Sequence, residues 1–194
     1  MTMSTDQVLD ENLQSPKEWP VQYASFGYRL LAYILDFLVL IPVVALTMYN
    51  QFVMKSFILA LLLSLAGVIY KVLMEGSYGA TLGKMALKMK VVDADGDKIS
   101  FSEAATRAWP FIIAAVVAMI QVAMLFNHPE FIEAKVSSLE DFAVFGEIQN
   151  EASNPVLGWI PLIVILVAVL PMLGHSEKQG LHDRTAKTYV IKKY

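Results

Sequence analysis

Four apolar runs dominate this sequence, at about residues 27–48, 56–74, 109–126 and 157–174. Each is long enough to cross a lipid bilayer as an α-helix, which takes roughly 20 residues. The last two are close to the short limit, so a re-entrant or core helix is the alternative for them. The composition agrees with spanning, because 56% of the 194 residues are hydrophobic and 17% are charged. These runs predict an all-α membrane protein with four transmembrane helices.

The charges between the runs indicate how the helices are oriented. Lysine and arginine concentrate between the second and third runs and after the fourth. The connection between the third and fourth runs, residues 127–156, is acidic and holds Lys135 as its only lysine or arginine. By the positive-inside rule the basic segments and both termini are expected in the cytoplasm, with the acidic loop outside. The net charge of −3 gives no reason to expect a nucleic-acid partner.

The residues before the first run differ from the rest of the chain. Residues 1–23 are polar and acidic, without the basic region and short apolar core of a signal peptide. We expect a flexible N-terminal tail there and one membrane domain over residues 24–194. The chain has no cysteine, which excludes disulfides and thiolate chemistry.

One carboxylate, Asp36, lies inside the first apolar run. Its insertion costs about 2.5–3.5 kcal/mol, so it needs a partner, a water-filled cavity or a proton. Arg29, Tyr33 and Asp36 share one helix face, which predicts a polar stripe directed at other helices. Helical side chains lean toward the N-terminus, so a direct ion pair between Arg29 and Asp36 is not expected. Candidate neighbours of Asp36 from the other spans are Ser64, Tyr70 and Gln121.

The basic segments contain short β-prone stretches. Residues 89–93 and 98–101 flank an Asp-Gly turn at Asp95-Gly96, the pattern of a β-hairpin. Thr188 to Ile191 is also β-prone and is predicted to add a third strand. The expected result is a small cytoplasmic β hairpin or three-stranded cap. A capped helix starting at about Ser102 should lead into the third span.

The acidic loop has the periodicity of an amphipathic helix. Its apolar residues at helical spacing are Ile132, Val136, Leu139 and Ala143, with Phe142 and Phe145 close by. We expect an outer amphipathic helix that ends at Asn154-Pro155. It is either a structural lid or an external gate or partner site.

Three possible ligand motifs fail on spacing. The segment 75–84 has Tyr78 where a phosphate loop requires glycine, so its glycines are expected to form a turn after the second span. The aspartates at 93–97 lack the closing glutamate of a calcium loop. His182 and Asp183 have no further ligand at metal spacing and predict a hydrogen-bonded pair. We therefore expect no metal, no cofactor and no enzymatic site.

Several of these residues together resemble a known family. The chain has Arg29 at the head of the first span, Asp36 within it, and Asp183 in Leu181-His182-Asp183-Arg184. The segments 79–84 and 91–96 and Arg107 match as well. Over about residues 24–194 the chain resembles the RDD family of small bacterial membrane proteins, named for one arginine and two aspartates. The resemblance implies the bacterial cytoplasmic (inner) membrane and a role in transport, and the long acidic loop departs from the shared pattern.

Two functions follow as hypotheses. The first is transport, as cation/proton exchange at an ion or proton site of Asp36, Tyr33 and Arg29, with a small cation as ligand. Asp183, Arg107, Glu75 and His182 would form a network at the cytoplasmic mouth, in which Asp183 bonds to Arg29 or Arg107. The same charges could instead tie the cap to the bundle as a structural network. The second is a non-transporting scaffold or assembly factor acting through its cap or outer loop. Four short spans leave little room for a path in one copy, so a homo-oligomer within the lipid bilayer is expected.

Overall fold

The computed structural model of the protein describes residues 22–174 and 176–192. In chain order its elements are β1 (Gln22–Tyr23), α1 (Phe26–Tyr49), α2 (Phe57–Tyr78), α3 (Leu82–Ala86), β2 (Met89–Val92), α4 (Phe101–Arg107), α5 (Trp109–Phe126), α6 (Leu139–Ala152), α7 (Pro155–Val169), α8 (Leu181–Thr185) and β3 (Tyr189–Lys192). A π-helical turn, Asn50–Met54, extends α1, and a 3-10 turn, Leu170–Leu173, extends α7.

The helices α1, α2, α5 and α7, with these extensions, are long and apolar enough to cross a membrane. This confirms the four predicted spans. Their large apolar side chains are widely exposed, among them Phe37, Ile58 and Leu62, as expected for surfaces that face acyl chains. In the bundle α5 packs against both α2 and α7, whereas the main helix contact of α1 is with the short α3.

The three strands form one antiparallel sheet in the order β1-β3-β2. Lys90 pairs with Ile191 and Val91 with Val190, which confirms that the C-terminal β-prone stretch joins the first predicted hairpin strand. On its other side β3 pairs with β1, where Gln22 lies opposite Lys192. The sheet therefore forms where the first span begins. We call this the sheet end of the bundle.

The predicted second hairpin strand, residues 98–101, is wrong. It contributes only an isolated bridge between Lys98 and Val92. Ser100 instead caps α4: its Oγ accepts from Glu103 N at 3.2 Å, and the Glu103 carboxylate accepts from Ser100 N at 2.7 Å. This capping box starts the helix at Phe101, one residue before the predicted start at about Ser102, and removes Phe101 from any strand.

The third strand comes from the N-terminal side of α1. The predicted tail, residues 1–23, lies outside the described residues except for Gln22 and Tyr23, and these two form β1. Tyr23 also stacks near Tyr189 of β3, with ring centroids 6.0 Å apart. Gln22 and Tyr23 thus belong to the sheet.

The predicted outer helix exists as α6, but its apolar face differs from the prediction. A capping box between Ser138 and Asp141 starts the helix at Leu139, so Ile132 and Val136 precede it. Leu139 is 90% exposed. The buried face consists of Phe145, Ile148 and Ala152. These pack with Phe131, Phe126 and Phe52 as an aromatic cluster at what we call the α6 end of the bundle.

Candidate functional site

The polar stripe of α1 faces the rest of the protein, as predicted. Arg29, Ala32 and Asp36 are the buried residues of this helix. Tyr33 is half-buried and stacks near Phe111 of α5, with ring centroids 6.0 Å apart. Among the described residues no ion pair joins Arg29 to Asp36. The stripe therefore serves two separate sites, one around Asp36 and one around Arg29.

Asp36 is bound by three neutral donors. Tyr70 Oη donates to Asp36 Oδ1 at 2.7 Å, and Gly83 N donates to the same oxygen at 2.7 Å. Thr81 Oγ1 donates to Oδ2 at 2.6 Å. Tyr70 was a predicted neighbour, whereas Thr81 and Gly83 were not. Both carboxylate oxygens are thus satisfied without any cation.

The segment 79–84 reaches Asp36 because two of its glycines remove steric obstacles. Gly79 ends α2 with a φ of 71°, in the left-handed region that glycine adopts at little cost. A Cβ on Gly83 would lie 2.2 Å from the carbonyl oxygen of Ala32. Only a glycine therefore lets α3 approach α1 closely enough for the Gly83 amide to reach Asp36. The turn predicted after α2 is present, and its second role is to bind this carboxylate.

A second carboxylate, Glu75 near the end of α2, is completely buried among cations. Its Oε1 accepts from the ammonium groups of Lys71 and Lys84, each at 2.5 Å. Its Oε2 accepts from Arg107 Nε at 3.1 Å. Neither lysine was predicted from the sequence as a partner of Glu75. Burial lowers the pKa of Lys84 to about 7, although the charge of Glu75 opposes that shift.

Asp183, in α8, forms ion pairs with both Arg29 and Arg107. Arg29 Nη1 donates to its Oδ2 at 2.5 Å. Arg107 Nη1 lies 2.8 Å from its Oδ1, an ion pair at an angle unsuited to a hydrogen bond. Burial alone would raise the pKa of Asp183, but Arg107, His182 and Arg29 outweigh it and hold this pKa well below its usual range. Both predicted partners of Asp183 are therefore present.

Arg107 connects the two carboxylates, since it contacts Glu75 with one nitrogen and Asp183 with another. It also donates to the hydroxyl of Thr188, just before β3. The result is a continuous buried network of four cations and two carboxylates, which joins α1, α2, α3, α4 and α8. Its ionic members are Arg29, Lys71, Glu75, Lys84, Arg107 and Asp183. We call it the sheet-end network.

His182 lies beside this network between two acceptors. Its Nδ1 is 3.2 Å from the carbonyl oxygen of Ala168, and its Nε2 is 3.3 Å from Asp183 Oδ1. Burial lowers the pKa of His182 to about 4, so the ring is neutral at physiological pH and only one nitrogen carries a proton. The predicted pairing of His182 with Asp183 is thus a close contact. Among the described residues no three His, Asp or Glu side chains gather as a metal site.

Two cavities lie between α1, α2 and α5. The first, of about 180 Å³, is lined by Asp36, Tyr33, Tyr70, Lys71 and Lys84 among others, and we call it the Asp36 cavity. The second, of about 600 Å³, lies at the α6 end, and we call it the α6 cavity. Ser64 and Gln121, predicted as neighbours of Asp36, line this second cavity instead.

The two cavities are close along the bundle. On α2 the nearest lining residues are Ser64 of the α6 cavity and Gly67 of the Asp36 cavity. Three residues of helix rise about 4.5 Å, less than one turn. A third cavity, of about 300 Å³, has an apolar lining with His182 at its edge. The two cavities between α1, α2 and α5 thus bring polar groups into the bundle from both ends.

Comparison with known proteins gives one positive finding. No curated protein and no solved structure matches the chain. The family model described as the RDD family matches residues 23–187. That range contains Arg29, Asp36 and Asp183, the residues at the centre of the two sites. Because the match covers most of the sequence, this chain is a member of the RDD family.

Proposed function

We propose that this protein exchanges a small cation for protons across the membrane, with Asp36 as the group that alternates between its protonated and cation-bound forms. The observation that carries the proposal is the kind of partner Asp36 has. Its three hydrogen bonds come from neutral donors. A buried carboxylate of this kind can take up a proton or a cation without breaking an ion pair.

The contrast with Glu75 makes Asp36 the better candidate. These two are the carboxylates within the four described spans. Protonation of Glu75 would leave Lys71, Lys84 and Arg107 buried beside a neutral group, which is strongly unfavourable. Protonation of Asp36 leaves no cation unpaired. Glu75 is therefore suited to a fixed structural role and Asp36 to the exchange of a bound cation for a proton.

The oxygens around Asp36 suit a small monovalent cation. Tyr70 and Thr81 place hydroxyl oxygens at 2.7 Å and 2.6 Å from its carboxylate. If these hydroxyls rotate their protons away, they offer two neutral oxygen ligands beside a charged one. Tyr33 lines the same cavity and stays in the proposed site. Arg29, by contrast, bonds to Asp183 and is assigned to the sheet-end network.

The two cavities supply the proposed access routes. The Asp36 cavity lies toward the sheet end, and the α6 cavity approaches it from the other side. From the positive-inside rule we place the sheet end and both termini in the cytoplasm of a bacterium, with α6 outside the inner membrane. The protein would then alternate access to Asp36 between these two sides.

Flux measurements on one set of preparations test the proposal. The purified protein is reconstituted in liposomes that contain a pH-sensitive dye, and Na⁺, K⁺ or Li⁺ is added outside. The wild type should move protons against at least one of these cations. Asp36→Asn should melt like the wild type and lose the coupled flux. Asp95→Asn, the same change at an exposed loop position, should keep it.

The scaffold function is the competing hypothesis, and one feature favours it. The sheet-end network ties α8 rigidly to the bundle, which suits a fixed platform for partner proteins. A wild type that is silent toward every cation and pH gradient would favour this alternative. A folded Asp36→Asn protein with wild-type flux would remove Asp36 from the mechanism. Crosslinking in native membranes would test the expected homo-oligomer.

A further inference from the structure

The lining of the α6 cavity is uncharged. It is formed by α1, its π-helical extension, α2, α5 and α6, and none of its lining residues is charged or aromatic. Its polar lining residues are Thr47, Gln51, Ser64, Gln121, Gln149, Asn150 and Ser153. Seven neutral polar side chains from these five parts of the fold thus converge on one space of about 600 Å³.

The hydroxyl groups in this lining already use their protons. Thr47 Oγ1 donates to Val43 O at 2.9 Å, and Ser64 Oγ donates to Ala60 O at 2.9 Å. Ser153 Oγ donates to Asn150 O at 3.0 Å. A hydroxyl whose proton is used in this way still has free lone pairs. These three side chains therefore offer the cavity oxygen acceptors and no donors.

The amides add further unpaired oxygens. Gln149 Nε2 donates to Gln51 Oε1 at 3.1 Å, which leaves the Gln149 carbonyl oxygen available. In the part of the chain that the structure describes, the side-chain amides of Gln121 and Asn150 take part in no hydrogen bond. Asn150 is exposed on α6, whereas Gln121 is half-buried in the span α5. A polar group within a span normally finds a partner, so the Gln121 amide is the one most available to a ligand.

We propose that the α6 cavity is a binding site for a monovalent cation that keeps part of its water shell. The neutral oxygens can replace some of the hydration of such an ion, and the cavity volume leaves room for the remaining waters. Divalent ions such as Ca²⁺ favour carboxylate ligands, and the lining has none. A quaternary ammonium would favour aromatic rings, which are also absent from this lining.

The net charge of the segment that carries α6 favours a cation over an anion. The α5–α7 connection carries six carboxylates and Lys135 as its only lysine or arginine. The nearby Lys55 ammonium is held by the carbonyl oxygens of Phe131, Ile132 and Ala134, so it is fixed away from the cavity lining. A cleft with neutral oxygens in its lining, beside a segment of net negative charge, concentrates cations.

This inference deepens the proposed function, because it gives the exchanged cation a first site on the α6 side. It is tested by binding, which does not depend on flux. Equilibrium binding of radioactive rubidium to the full-length protein in lipid nanodiscs is measured with N-methylglucamine holding the ionic strength constant. Na⁺ or K⁺ should displace the rubidium. In Gln121→Leu, which nearly keeps the side-chain volume, the affinity should fall about tenfold, as expected for the loss of one ligand to a charged group.

Two further variants make the result interpretable. Asn150→Ala changes an exposed residue of α6, so it should weaken rubidium binding without affecting folding. Ser102→Ala, at an exposed position on α4 at the sheet end, should bind rubidium like the wild type. Melting temperatures of all preparations identify any variant that fails to fold.

The outcomes separate this site from the proposed exchange. Asp36→Asn should retain rubidium binding and lose flux, so a silent transporter that still binds rubidium would overturn the proposed function and leave this site standing. A wild type that binds no rubidium, or Gln121→Leu and Asn150→Ala proteins that bind it with wild-type affinity, would overturn the site. A neutral polyol that raises the melting temperature of the protein, where rubidium does not, would overturn the site as well.

Discussion

Arg29 Nη1 lies 2.5 Å from Asp183 Oδ2, although 154 residues separate the two in the sequence. Both side chains are buried, at 4% and 0% exposure. The same guanidinium donates to the carbonyl oxygens of Ala24 at 3.1 Å and Lys178 at 2.6 Å. Arg29, in the first turns of α1, thus holds both the segment that follows β1 and the segment that precedes α8. The planar fork of arginine suits this arrangement better than a lysine would.

Loss of the Asp183 carboxylate should destabilise the protein severely. Asp183→Ala leaves Arg29 and Arg107 buried without this partner, a change that costs about 3–5 kcal/mol in comparable buried pairs. Thermal melting in detergent should show a large drop. The exposed Asp95→Ala should melt like the wild type. An Asp183→Ala protein with wild-type melting would contradict a stabilising role for the pair.

Gly83→Ala should separate α3 from α1. The added methyl group would meet Ala32 O at 2.2 Å and atoms of Asp36 at 2.9 Å, mostly rigid backbone that cannot move aside. The Gly83–Asp36 hydrogen bond should break, and the melting temperature should fall. Gly67→Ala in α2 is the matched control, because nothing lies within 4 Å of its Cβ position. The control should melt at or above the wild-type temperature, since alanine favours helix by about 1 kcal/mol over glycine. Equal melting of the two variants would argue against close packing at Gly83.

Lys55→Met should loosen the start of the acidic loop. The Lys55 ammonium donates to Phe131 O at 2.6 Å and Ile132 O at 3.0 Å, and it also donates to Ala134 O. Without it these carbonyls lose their donor, and amide hydrogen exchange over residues 128–136 should become faster. Lys135→Met removes the same charge from an exposed position of the same loop and should leave the exchange unchanged. Protection that survives in Lys55→Met would show that the aromatic cluster alone holds the loop.

The stability of the protein should increase with pH in the alkaline range. The pKa of Lys84 falls from 10.5 to about 7 on folding, because of burial. Between these values the unfolded chain binds a proton that the folded protein does not, so the free energy of unfolding rises with pH by at most about 1.4 kcal/mol per unit. Melting profiles from pH 7 to 10.5 should show this rise in the wild type and a smaller one in Lys84→Met. Parallel profiles would mean that Lys84 stays charged beside Glu75.

The spans and the polar stripe could be predicted because both depend on one-dimensional patterns. Length and apolarity define a span, and the spacing of Arg29, Tyr33 and Asp36 defines a face. The pairing of β2 with β3 followed from β-prone sequence. The two residues of β1 are too few to give such a signal. The residues predicted as the second hairpin strand are β-prone, but the capping box of Ser100 places them at the start of a helix.

The partners of the carboxylates were harder to predict, because they depend on how separate elements pack. Thr81 and Gly83 reach Asp36 only because α3 lies against α1, which no local pattern reveals. Lys71 did have a local signal that was missed. It stands four residues before Glu75, the spacing at which helical side chains form ion pairs.

The strand order β1-β3-β2 constrains when the sheet can form during synthesis of the chain. The central strand, β3, is the last of the three to leave the ribosome, after all four spans have been made. Until then β1 and β2 have no shared neighbour, and their backbone groups must be satisfied by water or by a chaperone. Asp183 is also synthesised late, so Arg29 has no counter-ion, and Arg107 has only Glu75, until α8 is made. The sheet and the ion pairs of Asp183 can therefore be completed only after β3 and α8 have been synthesised.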